Sequence, residues 1–425
     1  MTTNVQLQNS SDKATITEPE TTAPEHEEHQ EHAVAPPVPR SGDADVESTP
    51  ESSENSEIVE LIRQSWAGVE SRAPEVAQFF YGVLFTISPD TRDLFPANMS
   101  VQRSRLLRAL VHVVQMVDRT EELLPFLRQL GRDHRKFQVV TGHYDAVGTA
   151  LLTSLKRYAG KDWTEEVEQA WGTAYSIVAT AMRDAAEEVT GPTSWWATVV
   201  EHRRAGPDAA VIRVRVEEPL PYSPGNHLSV EIPQRPRLWR YLSPSNAPRE
   251  DGCIEFQVRA VEGGWVSRAM VNQTRPGDVW QLGPAMGGNL TVDAETTRRQ
   301  LMIAGGSGIS PMRSIIEELS RRSSPPAVDL FFGGRTIADL YDLDRLRALA
   351  STRPWLNLTA VAEEVPEGSG IQKGTLAEAV TRRADWSEHE ILVSGSPTMI
   401  RATVAKLLVA GCQADRIRYD PFTID

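Results

Sequence analysis

A glycine-rich turn in the last third of the chain has the residue types and spacing of a phosphate-binding site. The apolar run Leu301–Ala304 predicts a buried strand and leads directly into Gly305-Gly306-Ser307-Gly308. Glycines allow a backbone to approach phosphate oxygens closely, and the N-terminus of a following helix favours their negative charge. Pro311 suits the first position of that helix, because proline there loses no hydrogen bond. A nucleotide-phosphate site is one interpretation, and a tight turn in any parallel sheet is the other.

The elements around this turn favour the first interpretation, because strands and helices alternate from Leu301 onward. We predict strands at Leu301–Ala304, Val328–Phe332, Leu356–Ala362 and Ile391–Ser394, and helices near Pro311–Arg321, Leu340–Leu349, Thr375–Arg383 and Pro397–Gly411. Such alternation is typical of a doubly wound parallel sheet, in which a dinucleotide binds beyond the carboxyl ends of the strands. Residues 297–425 are therefore expected to form an α/β NAD(P)-binding domain.

The middle of the chain has a different period. Ile212, Val214 and Val216 alternate with polar side chains, and Ile254 and Phe256 do the same further on. A period of two indicates half-buried strands of an antiparallel barrel or sandwich. We assign this pattern to a domain at residues 192–296.

The part before Gly191-Pro192 shows helical periodicity only, which predicts an all-α domain at residues 56–191. Residues 1–55 are acidic and poor in large apolar side chains, so they are expected to form a disordered tail. Three histidines in that tail, at positions 26, 29 and 32, fit an acidic spacer better than a metal site.

The composition excludes several classes of protein. A net charge of −14 argues against a general nucleic-acid surface. No apolar run approaches the roughly 20 residues that cross a bilayer, so we expect no stable membrane insertion. The two cysteines, Cys253 and Cys412, are far apart and cannot form a disulfide framework. With no secretion signal, the expected location is the cytoplasm.

Five segments of the helical domain form a recognisable set: Phe79–Phe85, Asp93-Leu94-Phe95, Val101-Gln102-Arg103, Arg132–Phe137 and Ala170–Tyr175. In these segments the domain resembles the globin domain of flavohaemoglobins. The resemblance implies that His134 is the haem-iron ligand, that Tyr81 is the distal tyrosine, and that Phe95 wedges the haem. Gln102 and Leu106 are implied on the distal helix, one turn apart, and Tyr144 on the proximal side. Alone, His134 would be a core histidine in line with Leu127 and Leu130, and Tyr81 an ordinary core aromatic.

These residue types suit haem chemistry. A neutral imidazole nitrogen binds iron and leaves the opposite face open, and a buried phenol there can donate a hydrogen bond to dioxygen. One position departs from the family: its proximal glutamate corresponds to Ala186, and the neighbouring Glu187 is expected to point elsewhere on the helix. Without that carboxylate the imidazole is less electron-donating.

The middle domain resembles the FAD-binding barrel of ferredoxin reductases. Its flavin motif corresponds to Arg240-Tyr241-Leu242-Ser243, which implies that Arg240 binds the FAD diphosphate and Ser243 the flavin ring. Leu242 replaces the usual stacking tyrosine, and Tyr241 faces the other side of the strand. Gly264, Val266 and Ser267 match a second flavin-contacting segment, for which a turn followed by a strand is the alternative.

The same resemblance extends through the nucleotide domain. Gly305, Gly306, Gly308 and Pro311 are implied to bind the dinucleotide phosphates, and Ser394-Gly395 stands where the family has a cysteine and a glycine that meet the nicotinamide. Phe422 corresponds to an aromatic that covers the flavin, with a C-terminal core anchor as the alternative. Arg335 suits either a 2′-phosphate or the surface, so both NADH and NADPH remain open.

The resemblance implies a flavohaemoglobin-type enzyme with haem b, FAD and NADH or NADPH. Its expected reaction is nitric oxide dioxygenation, in which nitric oxide and dioxygen give nitrate. Its partners are then these small molecules, and the chain is expected to be a monomer or homodimer. Ala186, Leu242 and Ser394 keep two alternatives open: an FAD/haem oxidoreductase with another donor or acceptor, and a haem-based oxygen or nitric oxide sensor that carries a reductase.

Overall fold

The computed structural model describes residues 50–293, 295–382 and 385–420. Its first part is helical, as predicted. Six α-helices are present: α1 Pro50–Val69, α2 Ala73–Ile87, α3 Ser100–Met116, α4 Thr120–His134, α5 Thr141–Ala159 and α6 Glu165–Glu187. Helix α1 begins ahead of the expected start near Ser56. Apolar stripes from these helices pack on one another around Trp66, Leu155 and Trp171.

One close approach fixes the helix that carries His134. A Cβ atom on Gly131 would lie 2.1 Å from the carbonyl oxygen of Met182, so only glycine allows α4 to pack this tightly on α6. Helix α4 ends at His134, and a short 3₁₀ turn over Arg135–Phe137 follows. The last turn of α4 is therefore held against the helical core.

The second part is an antiparallel sheet of six strands in the order β4-β3-β6-β1-β2-β5. The strands are β1 Trp195–Arg204, β2 Ala209–Val216, β3 His227–Ile232, β4 Arg235–Leu242, β5 Cys253–Arg259 and β6 Val279–Met286. A bridge between Pro244 and Phe256 joins the two edges, which closes the sheet into the expected barrel. Helix α7, Trp265–Asn272, buries Val266 and Met270 in the barrel core.

The third part is a parallel sheet in the order β10-β9-β8-β7-β11-β12 with apolar clusters on both faces. Its strands are β7 Arg299–Gly305, β8 Val328–Thr336, β9 Leu356–Glu364, β10 Gln372–Lys373, β11 His389–Ser394 and β12 Ile417–Tyr419. Its helices are α8 Ile309–Leu319, α9 Leu343–Ser351, α10 Leu376–Thr381 and α11 Pro397–Val409. The doubly wound domain is thus confirmed, including the capping box of Thr375 and Glu378.

One local expectation was wrong, and one alternative is excluded. Pro311 is the third residue of α8 and not its first, because the 3₁₀ turn Gly306–Gly308 already leads the chain into helical geometry. Proline is tolerated there because the first turn of a helix leaves its N–H groups unpaired. The segment after Gly264 is a helix, so its interpretation as a turn followed by a strand fails.

A buried charge cluster connects the barrel to the nucleotide-binding sheet. Arg313 of α8 lies 2.9 Å from Glu255 of β5 and 3.3 Å from Asp342, and all three side chains are nearly inaccessible to water. Burial alone raises the pKa of Glu255, but the charges of Arg313 and Arg345 hold it below its ordinary value. This stabilisation is present at neutral pH and is lost as the pH falls through the titration of the carboxyl group.

We expect Arg313→Met to lower the free energy of unfolding of the reductase part by about 3–5 kcal/mol, because it leaves buried carboxylates without their counter-charge. Urea unfolding followed by tryptophan fluorescence measures the change. Arg347→Met is the matched control, since Arg347 forms a 3.8 Å pair with the exposed Asp344. Equal losses in both variants would contradict the prediction.

Candidate functional site

The distal residues expected from the sequence lie together in one apolar cluster. Tyr81 of α2 is buried, and its ring lies 5.4 Å from that of Phe95 and 5.8 Å from that of Phe85. Leu106 of α3 packs on the same cluster. The structure therefore brings Tyr81, Phe95 and Leu106 to one place.

The Tyr81 hydroxyl is the polar group in these apolar surroundings. It donates a hydrogen bond to the backbone oxygen of Gln102 at 3.5 Å, which is long for an O–H donor. Burial raises the pKa of Tyr81, so the phenol keeps its proton at neutral pH. This site thus offers a protonated hydroxyl that can donate its hydrogen bond to a closer acceptor than the Gln102 oxygen.

The geometry of His134 is that of a metal-binding imidazole. Its Nδ1 atom lies 2.8 Å from the carbonyl oxygen of Leu130, which can only accept a hydrogen bond. Nδ1 must therefore carry the proton, and in the neutral ring Nε2 keeps its lone pair. Burial lowers the pKa of His134, which favours the neutral ring. A fixed neutral imidazole of this tautomer is what haem iron requires.

Tyr144 packs on the helix that carries His134. It packs in a cluster with Leu127 and Leu130, and its backbone oxygen accepts a hydrogen bond from the Tyr175 hydroxyl. Burial raises the pKa of Tyr144; the charge of Arg183 opposes this shift and that of Glu187 adds to it.

The position that corresponds to the family's proximal glutamate is Ala186, which provides no carboxylate. Glu187, the last residue of α6, is exposed, and its charge adds to the rise in the pKa of Tyr144.

These residues fit a haem. We call the cluster around Tyr81 the distal cluster and the cluster around Leu127 and Leu130 the proximal cluster. The distal cluster contains Val147 and the proximal cluster contains Tyr144; these two residues are three apart on α5, so the two clusters adjoin. Both are lined by half-buried apolar side chains that a flat apolar ring can cover. The imidazole of His134 and the phenol of Tyr81 are polar groups that suit the iron and the ligand side of such a ring.

The expected FAD residues lie on two elements of the barrel. Arg240 and Leu242 are on β4, and Ser243 follows directly. Gly264 caps α7, where a Cβ atom would lie 2.5 Å from the Ser267 hydroxyl oxygen. Val266 is fully buried, so its backbone alone can meet a ligand.

Trp265, the first residue of α7, is an exposed aromatic that was not among the predicted FAD residues. Trp265 is 67% exposed and lines a cavity of about 360 Å³ together with Arg235 and Arg268. An exposed tryptophan next to two guanidinium groups suits a flat, negatively charged ligand. The sequence signal that could have pointed to Trp265 as a ligand contact is a large aromatic side chain directly after Gly263-Gly264.

The glycine turn lies where the order of the parallel sheet reverses. Strand β7 has β8 on one side and β11 on the other, and dinucleotides bind at such a switch point. Gly306 has φ +55°, and a Cβ atom on Gly308 would lie 2.4 Å from the backbone oxygen of Ser394. The turn and the loop at Ser394-Gly395 are therefore in direct contact.

Arg259 at the end of β5 is a second residue that the sequence argument missed. One of its guanidinium nitrogens would lie 3.7 Å from a Cβ atom on Gly306, and another lies 2.6 Å from Asp339. This cation reaches the phosphate-binding turn from the barrel. Arg335 is exposed at the end of β8, and Phe422 lies outside the described residues.

Among the described residues every helix is too short or too polar to span a bilayer.

Comparisons with known families match all three parts of the chain. The globin family matches residues 78–182, the oxidoreductase FAD-binding domain matches residues 196–289, and the oxidoreductase NAD-binding domain matches residues 302–405. The order of these families along the chain is the order of the three folds described above.

The curated relatives include flavohemoproteins that match most of this chain. The flavohemoprotein of Rhizobium meliloti is 27% identical over 383 residues, which cover 82% of this chain and 93% of the relative. That of Bordetella parapertussis is 27% identical over 333 residues, covering 73% and 82%. The reductase component of the naphthalene 1,2-dioxygenase/salicylate 5-hydroxylase systems of a Ralstonia species is 31% identical over 231 residues, covering 53% and 68%.

Among solved structures, the flavohemoglobin of Malassezia yamatoensis with bound FAD and haem has the same fold. It matches with a TM-score of 0.72 and 15% identity, and the match covers 86% of this chain and 98% of that one.

Proposed function

Since the chain belongs to the flavohaemoglobin family, in which a globin is joined to an FAD- and NAD-binding reductase, we propose that it is an NAD(P)H-dependent nitric oxide dioxygenase. The observation that carries the proposal is that Leu130 of one apolar cluster fixes a neutral His134, while the adjoining cluster holds a protonated Tyr81 hydroxyl whose hydrogen bond is long. Haem, FAD and NAD(P)H are the cofactors of this family, and they supply the redox chemistry.

In the globin, each residue has a definite task. His134 holds the haem through Nε2, and the hydrogen bond from Nδ1 to Leu130 fixes the direction of the ring. Phe95 and Leu106 exclude water from the distal side. The Tyr81 hydroxyl would donate a hydrogen bond to the partly negative oxygen of the reacting dioxygen. This hydrogen bond is stronger in a dry pocket than it is in water.

In the reductase, the binding residues orient the two nucleotides. Arg240 and the N-terminus of α7 at Gly264 bind the FAD diphosphate, and Ser243 binds the flavin ring. Gly306 and Gly308 admit the NAD(P)H phosphates, and Arg259 provides a counter-charge from the barrel.

The remaining reductase residues complete these sites. Trp265 provides a flat surface for the adenine of FAD, and Ser394 and Gly395 lie beside the turn where the nicotinamide is placed.

A second function is favoured by Ala186 and Ser394. A proximal carboxylate strengthens the electron donation of the imidazole, and Ala186 has none. The same three modules with weaker oxygen activation suit an FAD/haem oxidoreductase that passes electrons to another acceptor, or a haem-based sensor whose reductase keeps the iron ferrous.

The consumption of nitric oxide in air, with NADH or NADPH as the electron source, tests the proposal. Each nitric oxide and dioxygen need one electron to give nitrate, so the electron balance requires two nitrates for each reduced nucleotide. We expect turnover within the usual enzyme range of about 1–10³ per second. Negligible consumption by a protein with intact haem and flavin spectra would contradict it and favour the second function.

A further inference from the structure

Strand β4 has two different faces, and each belongs to a different cofactor site. Side chains alternate along a strand. The residues at even positions include Arg240 and Leu242 of the flavin motif, whereas Arg237, Trp239 and Tyr241 at odd positions contact the globin. Of the latter, Trp239 lies 6.1 Å from the ring of Phe137, and the Tyr241 hydroxyl lies 2.7 Å from Asp133. The sequence placed Tyr241 on the opposite side from the flavin, and in the structure that side is the globin.

The contact at Tyr241 is part of a small buried network. Asp133 accepts a hydrogen bond from the Tyr241 hydroxyl on one carboxylate oxygen, and on the other it accepts one from Lys136 at 2.6 Å. Lys136 is only 4% exposed, and its ammonium group lies 4.9 Å from the ring centre of Tyr241 and 5.5 Å from that of Trp239. Its stem packs beside Gly283 of β6, so the lysine of the globin is inserted into the surface of the barrel.

Such a network fixes the relative position of the two modules more than it raises the free energy of unfolding. The desolvation of a buried ion pair offsets much of its attraction, and the pair is favourable only when its remaining lone pairs and protons are satisfied. The hydroxyl of Tyr241 completes the set of partners of Asp133, which defines one arrangement of the two modules.

The network is joined directly to the haem ligand. Asp133 precedes His134 in the last turn of α4, and the His134 ring is fixed from inside the globin by Leu130. The same turn is fixed from outside the globin by Tyr241, which lies between Arg240 and Leu242 of the flavin motif in the sequence of β4. The Tyr241 hydroxyl thus connects the strand of one cofactor to the helix of the other: it donates to Asp133 at 2.7 Å and accepts a longer hydrogen bond from Lys136 at 3.5 Å.

We propose that Tyr241 is a positioning residue for electron delivery from the reductase to the globin. It holds the last turn of α4, and with it His134, at a fixed place relative to the flavin motif. The inference rests on the proposed function, since it requires that electrons pass between these modules. The network itself carries no electron or proton; it sets the distance and orientation across which they pass.

Tyr241→Phe tests this inference, because it removes the hydroxyl and keeps the ring beside Lys136. The control is Tyr222→Phe, which removes a hydroxyl that donates to the Asn246 backbone at 3.0 Å within the reductase half. The first measurement is anaerobic stopped-flow of the cofactor-loaded full chain, in which NADH reduces the flavin and the haem follows. The second is amide hydrogen exchange of the segment 130–137.

We expect flavin reduction by NADH to be unchanged in Tyr241→Phe and the subsequent haem reduction to slow by at least about tenfold, because small misplacements across a reacting pair have large effects on rate. Exchange in 130–137 rises about fivefold, which corresponds to the loss of one net hydrogen bond. Tyr222→Phe changes neither quantity.

The inference is overturned if haem reduction in Tyr241→Phe matches the wild type, whether or not the exchange rises. It is also overturned if haem reduction slows while the exchange stays at the wild-type level, since Tyr241 would then not act through α4. Failure of the electron transfer that the proposed function requires looks different: the wild-type haem stays oxidised while its flavin is reduced, and the inference falls with it. Failure of nitric oxide consumption alone, with haem reduction intact in the wild type, overturns the proposed function and leaves this inference standing.

Discussion

Replacing His134 by alanine is expected to give a protein that binds FAD but retains no haem. The neutral Nε2 of His134, fixed by the hydrogen bond from Nδ1 to Leu130, is the proposed iron ligand. Without it, the porphyrin keeps only apolar contacts with the two adjoining clusters. The absorption spectrum of the purified variant measures this: the haem band is lost, while the flavin bands and the reduction of ferricyanide by NADH persist.

The matched control is His143→Gln in the same module. His143 lies 2.8 Å from Asp90, outside the distal and proximal clusters. This variant is expected to retain haem at the wild-type level. The assignment of His134 as the ligand is refuted if His134→Ala binds haem as fully as the control does.

Replacing Tyr81 by phenylalanine is expected to lower the rate of nitric oxide consumption in air by about 10²-fold, the usual effect of removing one preorganised hydrogen-bond donor. The ring contacts with Phe85 and Phe95 remain in the variant, so the pocket keeps its shape. Burial raises the pKa of Tyr81, and the phenol is therefore protonated across the physiological range. Haem reduction by NADH without oxygen should be unaffected, which separates electron delivery from oxygen chemistry.

Tyr158→Phe is the control for Tyr81→Phe. Its ring packs against Phe79 and Arg72, away from the distal cluster, and the loss of its hydroxyl should leave nitric oxide consumption unchanged. If Tyr81→Phe consumes nitric oxide as fast as this control, the phenol has no part in the reaction and the proposed role of Tyr81 is wrong.

The organisation of the chain could be predicted because each part has its own periodicity. Helical spacing, alternation and strand–helix repeats are local properties, and they marked the globin, the barrel and the parallel sheet in order. The glycine turn was predictable because glycine is required locally there. Gly306 has φ +55°, which favours glycine, and the backbone at Gly308 lies too close to that of Ser394 to leave room for a side chain.

Contacts between modules could not be predicted, because they join residues that are far apart in the sequence. Asp133 and Tyr241 are separated by 108 residues, and neither has an unusual local pattern. Arg259 reads as an outward residue of an alternating strand, and only the packing of the barrel on the sheet brings it to Gly306. The influence of Glu187 on Tyr144 depends likewise on how α6 lies against α5.

The most direct test of the central claim is anaerobic mixing of the oxidised full-length protein with NADH or NADPH while the flavin and haem spectra are recorded together. The account predicts that the flavin absorbance bleaches first and that the haem spectrum then changes to that of ferrous iron at a matching rate. A flavin that bleaches fully while the haem spectrum remains ferric would contradict it.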